Sequence, residues 1–343
     1  MAGGGGRHAR GMLIEDLQDV LARRAELLGQ GMTDRGIAAA LRAGALRRVD
    51  RGGYAPGPRW AELRSEDRHL LRVLAALDRG QGADAVVSHA SAAVVHGLPL
   101  FRHEPEHVHV SSPHHNGDVG ERGGGAGPIA RHRVAVTDAD RDEVDGIPVT
   151  SLARTVADLL RTAPRACGLA AADAALRMRA WRGGERAYDA DAAGVFRAAV
   201  GERLRPGARG VRQARVLLDL ADGRAESPGE SVSRLHLHDL GFARPRLQVP
   251  VEAPEGGWFH LDFGLDDVGV WGEFDGEVKY RDPALWGGRT LQEVLRAEKT
   301  REDWIRGTTG RRVIRWTSAE IGSARALGVL LARFHLRPGR RAA

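Results

Sequence analysis

The stretch GEFDGEVKY, residues 272–280, decides the fold of the C-terminal part of the chain. Directly after an apolar run, it sets four charged residues at two-residue spacing: Glu273, Asp275, Glu277 and Lys279. Acidic residues are depleted in strands, and like charges on one face of a strand repel each other. The lysine is also unusual, because the chain contains only two lysines among its 51 Lys and Arg residues. The pattern therefore predicts a strand that carries chemistry, of a kind that phosphodiester hydrolysis can use.

The run WFHLDF, residues 258–263, is predicted to be the strand before it. Side chains alternate between the two faces of a strand, so Phe259, Leu261 and Phe263 should share the core face. Asp262 should then point away from the core. If the two strands pair as a hairpin, Asp262 lies beside the acidic residues of the next strand, and several carboxylates meet at one edge of the sheet.

Such a group of carboxylates destabilises a fold unless a cation lies between them. Oxygen ligands, completed by water and a substrate phosphate, are the set that Mg²⁺ prefers. The metal would polarise the phosphate and lower the pKa of a bound water, while the Lys279 ammonium would orient that water or offset the charge of the transition state. Structural roles stay open as alternatives: Asp262 as a solvated strand residue, and Asp275-Gly276 as a turn.

The periodicity around these strands predicts a C-terminal α/β domain over residues 227–343. Its expected elements follow the order αβββαβα: a helix at 227–240, strands at 247–251, 258–263 and 268–274, a helix at 291–306, a strand at 313–316 and a helix at 319–335. Helices that flank a mixed sheet in this way indicate a compact domain with one core.

Residues 1–60 show the order helix, turn, helix, hairpin, which is that of a winged helix-turn-helix. Apolar spacing predicts a first helix at 12–28, a second that begins at Thr33 and ends at Gly44, and a hairpin at 45–57. The residues expected to contact DNA are Thr33, Arg35, Arg42, Arg47, Arg48 and Arg51. The alternative is a small helical domain with solvated arginines.

Between these ends, a small α/β region is predicted at 84–165 and a helical connector at 166–226, whose interruptions indicate hinges. The α/β region should contain a helix at 88–95, strands at 108–112 and 130–136, and a helix that begins at Thr150 or Ser151. It is rich in histidine: His89, His96, His103, His107, His109, His114, His115 and His132. These residues lack the spacing of zinc ligands and have no cysteines beside them, so we interpret them as structural or solvated.

Composition limits the class of protein. An apolar fraction of 42% over 343 residues allows sizeable cores, and a formal net charge of +6 suits a polyanionic partner. One cysteine, Cys167, excludes an intramolecular disulfide framework and a multi-cysteine zinc site. No signal-peptide pattern or long apolar run is present. We therefore expect a multidomain α/β protein that is soluble and cytoplasmic.

The C-terminal residues resemble the PD-(D/E)XK nuclease superfamily, and most closely its branch related to very-short-patch-repair endonucleases. The resemblance rests on Glu230 at the start of a helix, Asp262 in an LDF strand and GEFDGxxKY in the next strand, and it covers residues 227–343. It implies a restriction-endonuclease-like fold with a Mg²⁺ (or Mn²⁺) site formed by Glu230, Asp262 and Glu273, and with Asp262, Glu273, Asp275 and Lys279 as catalytic residues.

The chain departs from that superfamily at the catalytic lysine. The lysine usually stands two residues after the acid, where this chain has Asp275. Either Lys279 takes the role from further along, or EVK at 277–279 is the working tripeptide, or the site is degenerate. Glu230 likewise ends the segment SPGE, residues 227–230, where a capping box with proline at N1 explains it without a metal.

The N-terminal part resembles actinobacterial proteins with an AbiEi-like antitoxin N-terminal domain. The segments that carry the resemblance are TDRGIAAALRAGALRRVDRGGYA, VVSHASAAVVHGLPL and PVTSLARTVADLL. In those proteins a winged helix, a small α/β region and a nuclease-like tail occur in this order. The resemblance implies duplex DNA as a partner, and a toxin of a type IV toxin–antitoxin-like system as a second one.

Three functions stay open at this point. The first is a DNA-binding protein that hydrolyses phosphodiesters with a metal ion. The second is a catalytically inactive transcriptional regulator or antitoxin, whose nuclease-like tail serves as a scaffold or partner surface. The third is a protein-interaction module whose middle region recognises a toxin.

Overall fold

The computed structural model describes residues 14–78, 84–113, 129–183, 186–276 and 290–339. They form a mixed α/β protein that divides into two compact units, Met1–Ala171 with Arg182–Asp219 and Ala172–Trp181 with Leu220–Ala343. Glu277 and Lys279, named above, lie outside the described residues. Within the described ranges, no helix combines the length and the apolar character needed to cross a lipid bilayer.

The N-terminal segment of the first unit combines short helices with a small sheet. Its elements are α1 (Ile14–Val20), β1 (Ala22–Arg23), α2 (Arg24–Gly29), α3 (Asp34–Arg42), β2 (Leu46–Asp50) and β3 (Gly53–Pro56), and the strand order is β1-β3-β2. Helix α3 and the β2–β3 hairpin are as predicted. The single helix predicted at 12–28 is wrong, because Ala22 and Arg23 are extended and pair with Tyr54 and Gly53 of β3 between α1 and α2.

The rest of the first unit is built around a five-stranded sheet. Its elements are α4 (Gly57–Glu62), α5 (Ser65–Leu77), β4 (Val86–Val87), α6 (His89–Val95), β5 (Val108–Ser112), β6 (Ile129–Arg133), β7 (Arg141–Val144), β8 (Ile147–Thr150) and α7 (Leu152–Thr162), and the strand order is β6-β5-β4-β8-β7. The predicted helices and strands of this region are present, although β6 ends at Arg133. The β7–β8 hairpin was not predicted. Helix α6 packs against α5, α7 and β5.

The segment predicted as a hinged connector contributes to the cores instead. It contains α8 (Arg165–Ala180), β9 (Trp181–Arg182), β10 (Ala187–Tyr188), α9 (Ala190–Glu202) and α10 (Val211–Leu220). Leu169, Leu176 and Leu217 are fully buried, so the helices of this segment are core elements, while the hinges expected at its interruptions stay a prediction. Several alanines of the segment are also core residues, because small side chains allow close packing.

The second unit contains a four-stranded sheet. Its elements are α11 (Pro228–Leu240), β11 (Arg246–Glu252), β12 (Trp258–Leu265), β13 (Val270–Asp275), α12 (Leu291–Thr309), β14 (Arg312–Thr317) and α13 (Ala324–Arg333), and the strand order is β11-β12-β13-β14. Strands β11 to β13 are antiparallel, and β14 pairs with β13 in parallel. Among the described residues, the elements follow the predicted order αβββαβα.

Helix α11 approaches β13 closely because of a glycine. A Cβ atom at Gly229 would lie 2.0 Å from the Phe274 ring, so a larger residue would force the helix away. On the α11 side of the sheet, Phe263 and Trp316 stack with their ring centroids 5.3 Å apart. Trp316 Nε1 donates a hydrogen bond to Ser233 Oγ of α11 at 2.7 Å. These contacts hold the first turn of α11 beside the sheet.

The alternation predicted for β12 fails at one position. Leu261 packs in a cluster with Ile305 of α12, whereas Phe263 packs on the α11 side. The two side chains therefore lie on opposite faces, although they are two residues apart. The partner strand has Gln248 in the left-handed region, with φ 50°, at the position opposite Asp262. An irregularity of this kind breaks the alternation of the pair, as a β-bulge does.

Candidate functional site

The residues predicted to contact DNA lie on α3, on the residue before it and on the β2–β3 hairpin. All six are exposed: Thr33, Arg35, Arg42, Arg47, Arg48 and Arg51. Thr33 Oγ1 also accepts a hydrogen bond from Gly36 N at 3.1 Å. This bond satisfies one of the free amides at the helix start and fixes where α3 begins.

The guanidinium groups of the five arginines have no acidic partner within the described residues, although the Arg51 backbone N–H donates to Asp50 Oδ1 at 2.6 Å. A neighbouring arginine behaves differently, because Arg59 of α4 forms an ion pair with Glu62 at 3.5 Å. Arg48 lies over the Tyr54 ring, 5.9 Å from its centroid, and this contact leaves its hydrogen-bond donors free to bind other groups. Exposed guanidinium groups without an internal counter-ion are available to phosphates.

Glu230, in the first turn of α11, is buried and acts as a capping residue. Its carboxylate accepts hydrogen bonds from Glu226 N and from Ser227 Oγ, both at 2.9 Å, while Ser227 Oγ accepts from Glu230 N at 3.2 Å. Burial, and then the nearby charge of Asp262, raise the pKa of Glu230 above its ordinary value. The predicted capping box is therefore present in part: Ser227 caps the helix, but the Glu230 carboxylate binds Glu226 N instead of Ser227 N, and a second acid lies near it.

Asp262 binds the backbone of the acidic strand. Its Oδ2 accepts a hydrogen bond from Phe274 N at 2.8 Å. The regular pairing of β12 with β13 ends at Phe263 and Gly272, so this side-chain bond satisfies an amide beyond the end of the ladder. Asp262 thus has a structural role in addition to its proximity to Glu230.

Glu273 is buried and paired with arginine from two elements. Arg301 Nη2 of α12 lies 2.7 Å from Glu273 Oε1, and Arg315 Nη2 of β14 lies 3.1 Å from Glu273 Oε2. Arg315 is ion-paired with four acids: Glu273, Asp275, Glu298 and Glu302. Both acids of GEFD therefore already have cationic partners from this chain.

The three carboxylates expected to bind Mg²⁺ do not form one cluster. Glu273 pairs with Arg301 on the α12 side of the sheet, while Glu230 belongs to α11, which packs on the face of Phe274. Within the described ranges, a single group of three or more His, Cys, Asp or Glu residues has ligand atoms within 4.8 Å of one another, and it lies in the first unit.

This group consists of His89 at the start of α6, His109 of β5 and His132 of β6. The rings stack, with centroid distances of 3.8 Å for His89 and His132, 5.2 Å for His109 and His132, and 5.6 Å for His89 and His109. His109 Nδ1 and His132 Nε2 are hydrogen-bonded at 2.9 Å. The convergence of these three rings was missed when the histidines of this region were interpreted as structural or solvated.

Linear spacing could not reveal this group, because the residues come from three separate elements. His109 and His132 are 23 residues apart. A strand-pairing argument could have found them: β5 and β6 are parallel, with His109 opposite Ala130 and Ser111 opposite His132. Alternation places His109 and Ser111 on one face of β5, so parallel pairing brings His132 to the same face.

The electrostatics of this group favour neutral rings. Burial lowers the pKa of His89 and of His109 to about 3, and burial also lowers the pKa of His132. A neutral imidazole keeps one ring nitrogen with a free lone pair, which is the form that binds metal ions. The structure therefore contains a group of residues that could bind a metal ion, as expected, but the group consists of histidines instead of the predicted carboxylates.

Two proteins of Mycobacterium tuberculosis are similar to the chain over most of its length. They are "Uncharacterized protein Rv2248" of strain H37Rv and "Uncharacterized protein MT2308" of strain CDC 1551, each 32% identical over 271 residues, which is 79% of this chain and 85% of the relative. The chain belongs to the family of these two proteins. No family model matches the chain.

In this member of the Rv2248 family, three arrangements can support chemistry. The arginines of α3 and the β2–β3 hairpin present an exposed cationic surface. The carboxylates of the C-terminal sheet are bound to arginines, to a helix cap and to a strand amide. The histidine group offers nitrogen ligands.

Proposed function

We propose that this chain is a DNA-binding protein of the regulator type, which binds duplex DNA through α3 and the β2–β3 hairpin. The observation that carries the proposal is the set of exposed arginines on these elements that lack an acidic partner within the described residues. An α-helix with its side chains is about 10–12 Å across, and the major groove of B-DNA is about 12 Å wide. Helix α3 would lie in the groove.

The order of the elements supports a winged helix-turn-helix. Helices α1, α2 and α3 are followed by a hairpin, and β1 completes the small sheet. Thr33 and Arg35 lie at the start of α3, the end that would reach base edges in such a complex. Arg47 and Arg48 of β2 and Arg51 of the turn would bind phosphates and fix the orientation of the protein on the duplex.

The C-terminal domain would be a restriction-endonuclease-like scaffold in this proposal. The arginine partners of Glu273 and Asp275 support it, because a metal ion at these carboxylates would compete with cations that the chain already supplies. Such a domain is free to serve as a surface for a partner protein, and the toxin of a type IV toxin–antitoxin-like system is the partner that the N-terminal resemblance implies. A regulator of this kind would act in the cytoplasm.

Fluorescence anisotropy with labelled duplex DNA tests the proposal. We expect Arg47→Ala with Arg48→Ala to weaken binding and to reduce the slope of log K against log salt by about 2, since each lost phosphate contact changes it by about 0.9. The control is Arg59→Ala, an exposed arginine nearby that is paired with Glu62. If the double variant binds with the affinity and salt slope of the wild type, the hairpin is not the DNA surface.

Metal-dependent phosphodiester hydrolysis is the second candidate, and the proximity of Glu230 and Asp262 favours it. Two acids near each other, one with a raised pKa, are characteristic of a position where a cation would relieve repulsion. In this candidate Glu230 and Asp262 alone would bind Mg²⁺ or Mn²⁺, and the ion would polarise the phosphate. Lys279 would orient the water.

A plasmid-nicking assay with Mg²⁺ or Mn²⁺ separates the two candidates. Hydrolysis predicts that the wild type nicks and that Asp262→Ala does not. Asp266→Ala is the control, because Asp266 is an exposed acid in the turn between β12 and β13 that pairs with Arg246 and Arg311. The regulator proposal predicts that all three proteins leave the plasmid intact. If the wild type and Asp266→Ala nick the plasmid and Asp262→Ala does not, the regulator proposal is wrong and the nuclease candidate is supported.

A further inference from the structure

The stacked histidines of the first unit lie close to metal-ligand spacing. One ring nitrogen of each lies within 4.8 Å of those of the other two. In a tetrahedral site with Zn–N bonds of about 2.0–2.1 Å, two ligand nitrogens are about 3.3 Å apart. His109 Nδ1 and His132 Nε2 are 2.9 Å apart. The nitrogen separations therefore approach those of a site, and the rings must turn out of their stacked planes for the three lone pairs to point at one ion.

His89 reaches the group through an unusual backbone conformation. It has φ 52°, which is unfavourable for a residue other than glycine, and it lies at the point where β4 turns into α6. Strain of this kind is found at functional positions. Ser88 Oγ is hydrogen-bonded to His89 Nδ1 at 3.1 Å, which leaves Nε2 for a ligand. A hydrogen bond to the second ring nitrogen is the contact that orients metal-binding histidines.

A buried hydroxyl group next to the histidines has no hydrogen-bond partner within the described residues. Ser111 is 1% exposed, and its Oγ is unsatisfied. It lies opposite His132 in the β5–β6 ladder and shares a face of β5 with His109. An unsatisfied buried hydroxyl is costly, and a water bound to a metal at this point would give it a partner.

The arginines near the group are paired with acids. Arg154 and Arg161 lie near His89. Both are paired with the buried carboxylate of Asp158, at 2.8 Å and 3.5 Å, and Arg154 is also paired with Asp140 at 3.0 Å. Asp158 lies near His132 as well. Asp140 is also bound by Arg203 at 2.6 Å, so an added cation would meet paired guanidinium groups and one nearby carboxylate.

We propose that His89, His109 and His132 bind one divalent transition-metal ion of the Zn²⁺ class, with a water molecule in the fourth position. Three imidazoles suit Zn²⁺, Co²⁺ and Ni²⁺, whereas Mg²⁺ and Ca²⁺ prefer oxygen ligands. The ion joins the start of α6 to β5 and to β6, which is the edge strand of its sheet. This site is independent of the carboxylates of the C-terminal unit and of the proposed DNA surface.

Calorimetry on the full chain, prepared without a polyhistidine tag and treated with a chelator, tests this site. We expect the wild type to bind one equivalent of Zn²⁺, and His109→Ala to bind it at least about 100-fold more weakly, because a lost ligand costs more than a lost outer contact. Cobalt provides a second readout, since a tetrahedral Co²⁺ complex absorbs visible light. His103→Ala, at a half-buried histidine of the same unit, is the control that should bind as the wild type does.

Loss of a buried ring can also unfold the region, so His132→Asn is the second variant and circular dichroism verifies its fold. Zn²⁺ should raise the melting temperature of the wild type but not that of folded His132→Asn. The proposal is overturned if the wild type binds no Zn²⁺ or if folded His132→Asn binds it with wild-type affinity, since the rings are then only a packed stack. It is also overturned if His114→Ala with His115→Ala alone abolishes binding.

Discussion

Two regions of the molecule use arginine in opposite ways. On α3 and the β2–β3 hairpin, the guanidinium groups are exposed and have no acidic partner within the described residues. In the second unit, Arg234 of α11, Arg301 of α12 and Arg315 of β14 are buried or half-buried and are bound to carboxylates. Net charge cannot distinguish the two cases, because it counts all arginines alike. The placement of counter-ions, and not the number of arginines, distinguishes a surface that is available to a polyanion from one that holds a fold together.

The largest expected effect concerns the most buried arginine. Arg234 is 3% exposed, is paired with the buried Asp173 and donates to Leu220 O at 2.5 Å. Arg234→Met leaves the Asp173 carboxylate buried without its cation, so we expect the free energy of unfolding to fall by about 3–5 kcal/mol in urea denaturation. Adding Asp173→Leu should restore part of this stability. A loss below about 1 kcal/mol would mean that this arginine is as dispensable to the fold as the exposed ones.

The next effect tests the ion-pair network of the acidic strand. Arg315→Met removes a cation that four acids share, so we expect a loss of about 1.5–3 kcal/mol at pH 7. The loss should be smaller at about 1 M salt, which screens the attraction between Arg315 and the acids. Thermal unfolding at low and at high salt measures this. An equal loss in both would show that Arg315 stabilises by packing alone.

Substitution of the exposed N-terminal arginines should reduce DNA affinity and leave stability unchanged. Arg42→Ala with Arg51→Ala should leave the free energy of unfolding within about 0.5 kcal/mol of the wild type, because neither guanidinium group has an acidic partner among the described residues and the backbone bond of Arg51 to Asp50 is retained. DNA affinity should fall by about 2 kcal/mol if each arginine binds one phosphate. Anisotropy and urea denaturation on the same preparation make the comparison. A variant that loses stability but keeps its DNA affinity would show that Arg42 and Arg51 stabilise the fold and do not bind DNA.

The smallest effect concerns the pH dependence of Glu230. Its pKa is raised in the folded protein, chiefly by burial and then by Asp262, so the folded state holds this proton more tightly than the unfolded chain does. The stability it contributes is complete below the ordinary carboxyl pKa and is lost as the pH rises through the folded value. Glu230→Gln mimics the protonated form, so we expect its stability relative to the wild type to improve by about 1 kcal/mol or more between pH 4 and pH 9. A constant difference would show that Glu230 stays ionised.

The N-terminal helix cap, the β2–β3 hairpin and the order of elements in the C-terminal unit were predictable, because their signals are local. Thr33 stands directly before a periodic segment, and the hairpin has Gly52 and Gly53 at its turn. The β7–β8 hairpin was predictable in principle as well. Its turn consists of Asp145 and Gly146, both with positive φ, and Asp-Gly between alternating residues is a strong hairpin signal.

The remaining features depend on contacts that periodicity does not encode. The alternation rule places Leu261 and Phe263 on one face, but the irregular backbone of Gln248 on the neighbouring strand separates them. Similarly, Glu273 appears in the sequence as a free carboxylate, although its arginine partners follow 28 and 42 positions later. The approach of His89 to His109 and His132 on two strands is likewise a contact between residues that are distant in the sequence. Local patterns identify elements, whereas a site needs the distances between them.

The parallel pairing of β13 and β14 has a consequence for how the chain is synthesised. Glu273 lies opposite Arg315 in this ladder, and Asp275 is separated from Arg315 by 40 residues. At roughly 5–20 residues per second, a ribosome adds those 40 residues in about 2–8 s. The acidic strand β13 therefore leaves the ribosomal exit tunnel before Arg315, the cation that pairs with it. The C-terminal sheet therefore completes its folding late in translation, when β14 emerges and closes the edge.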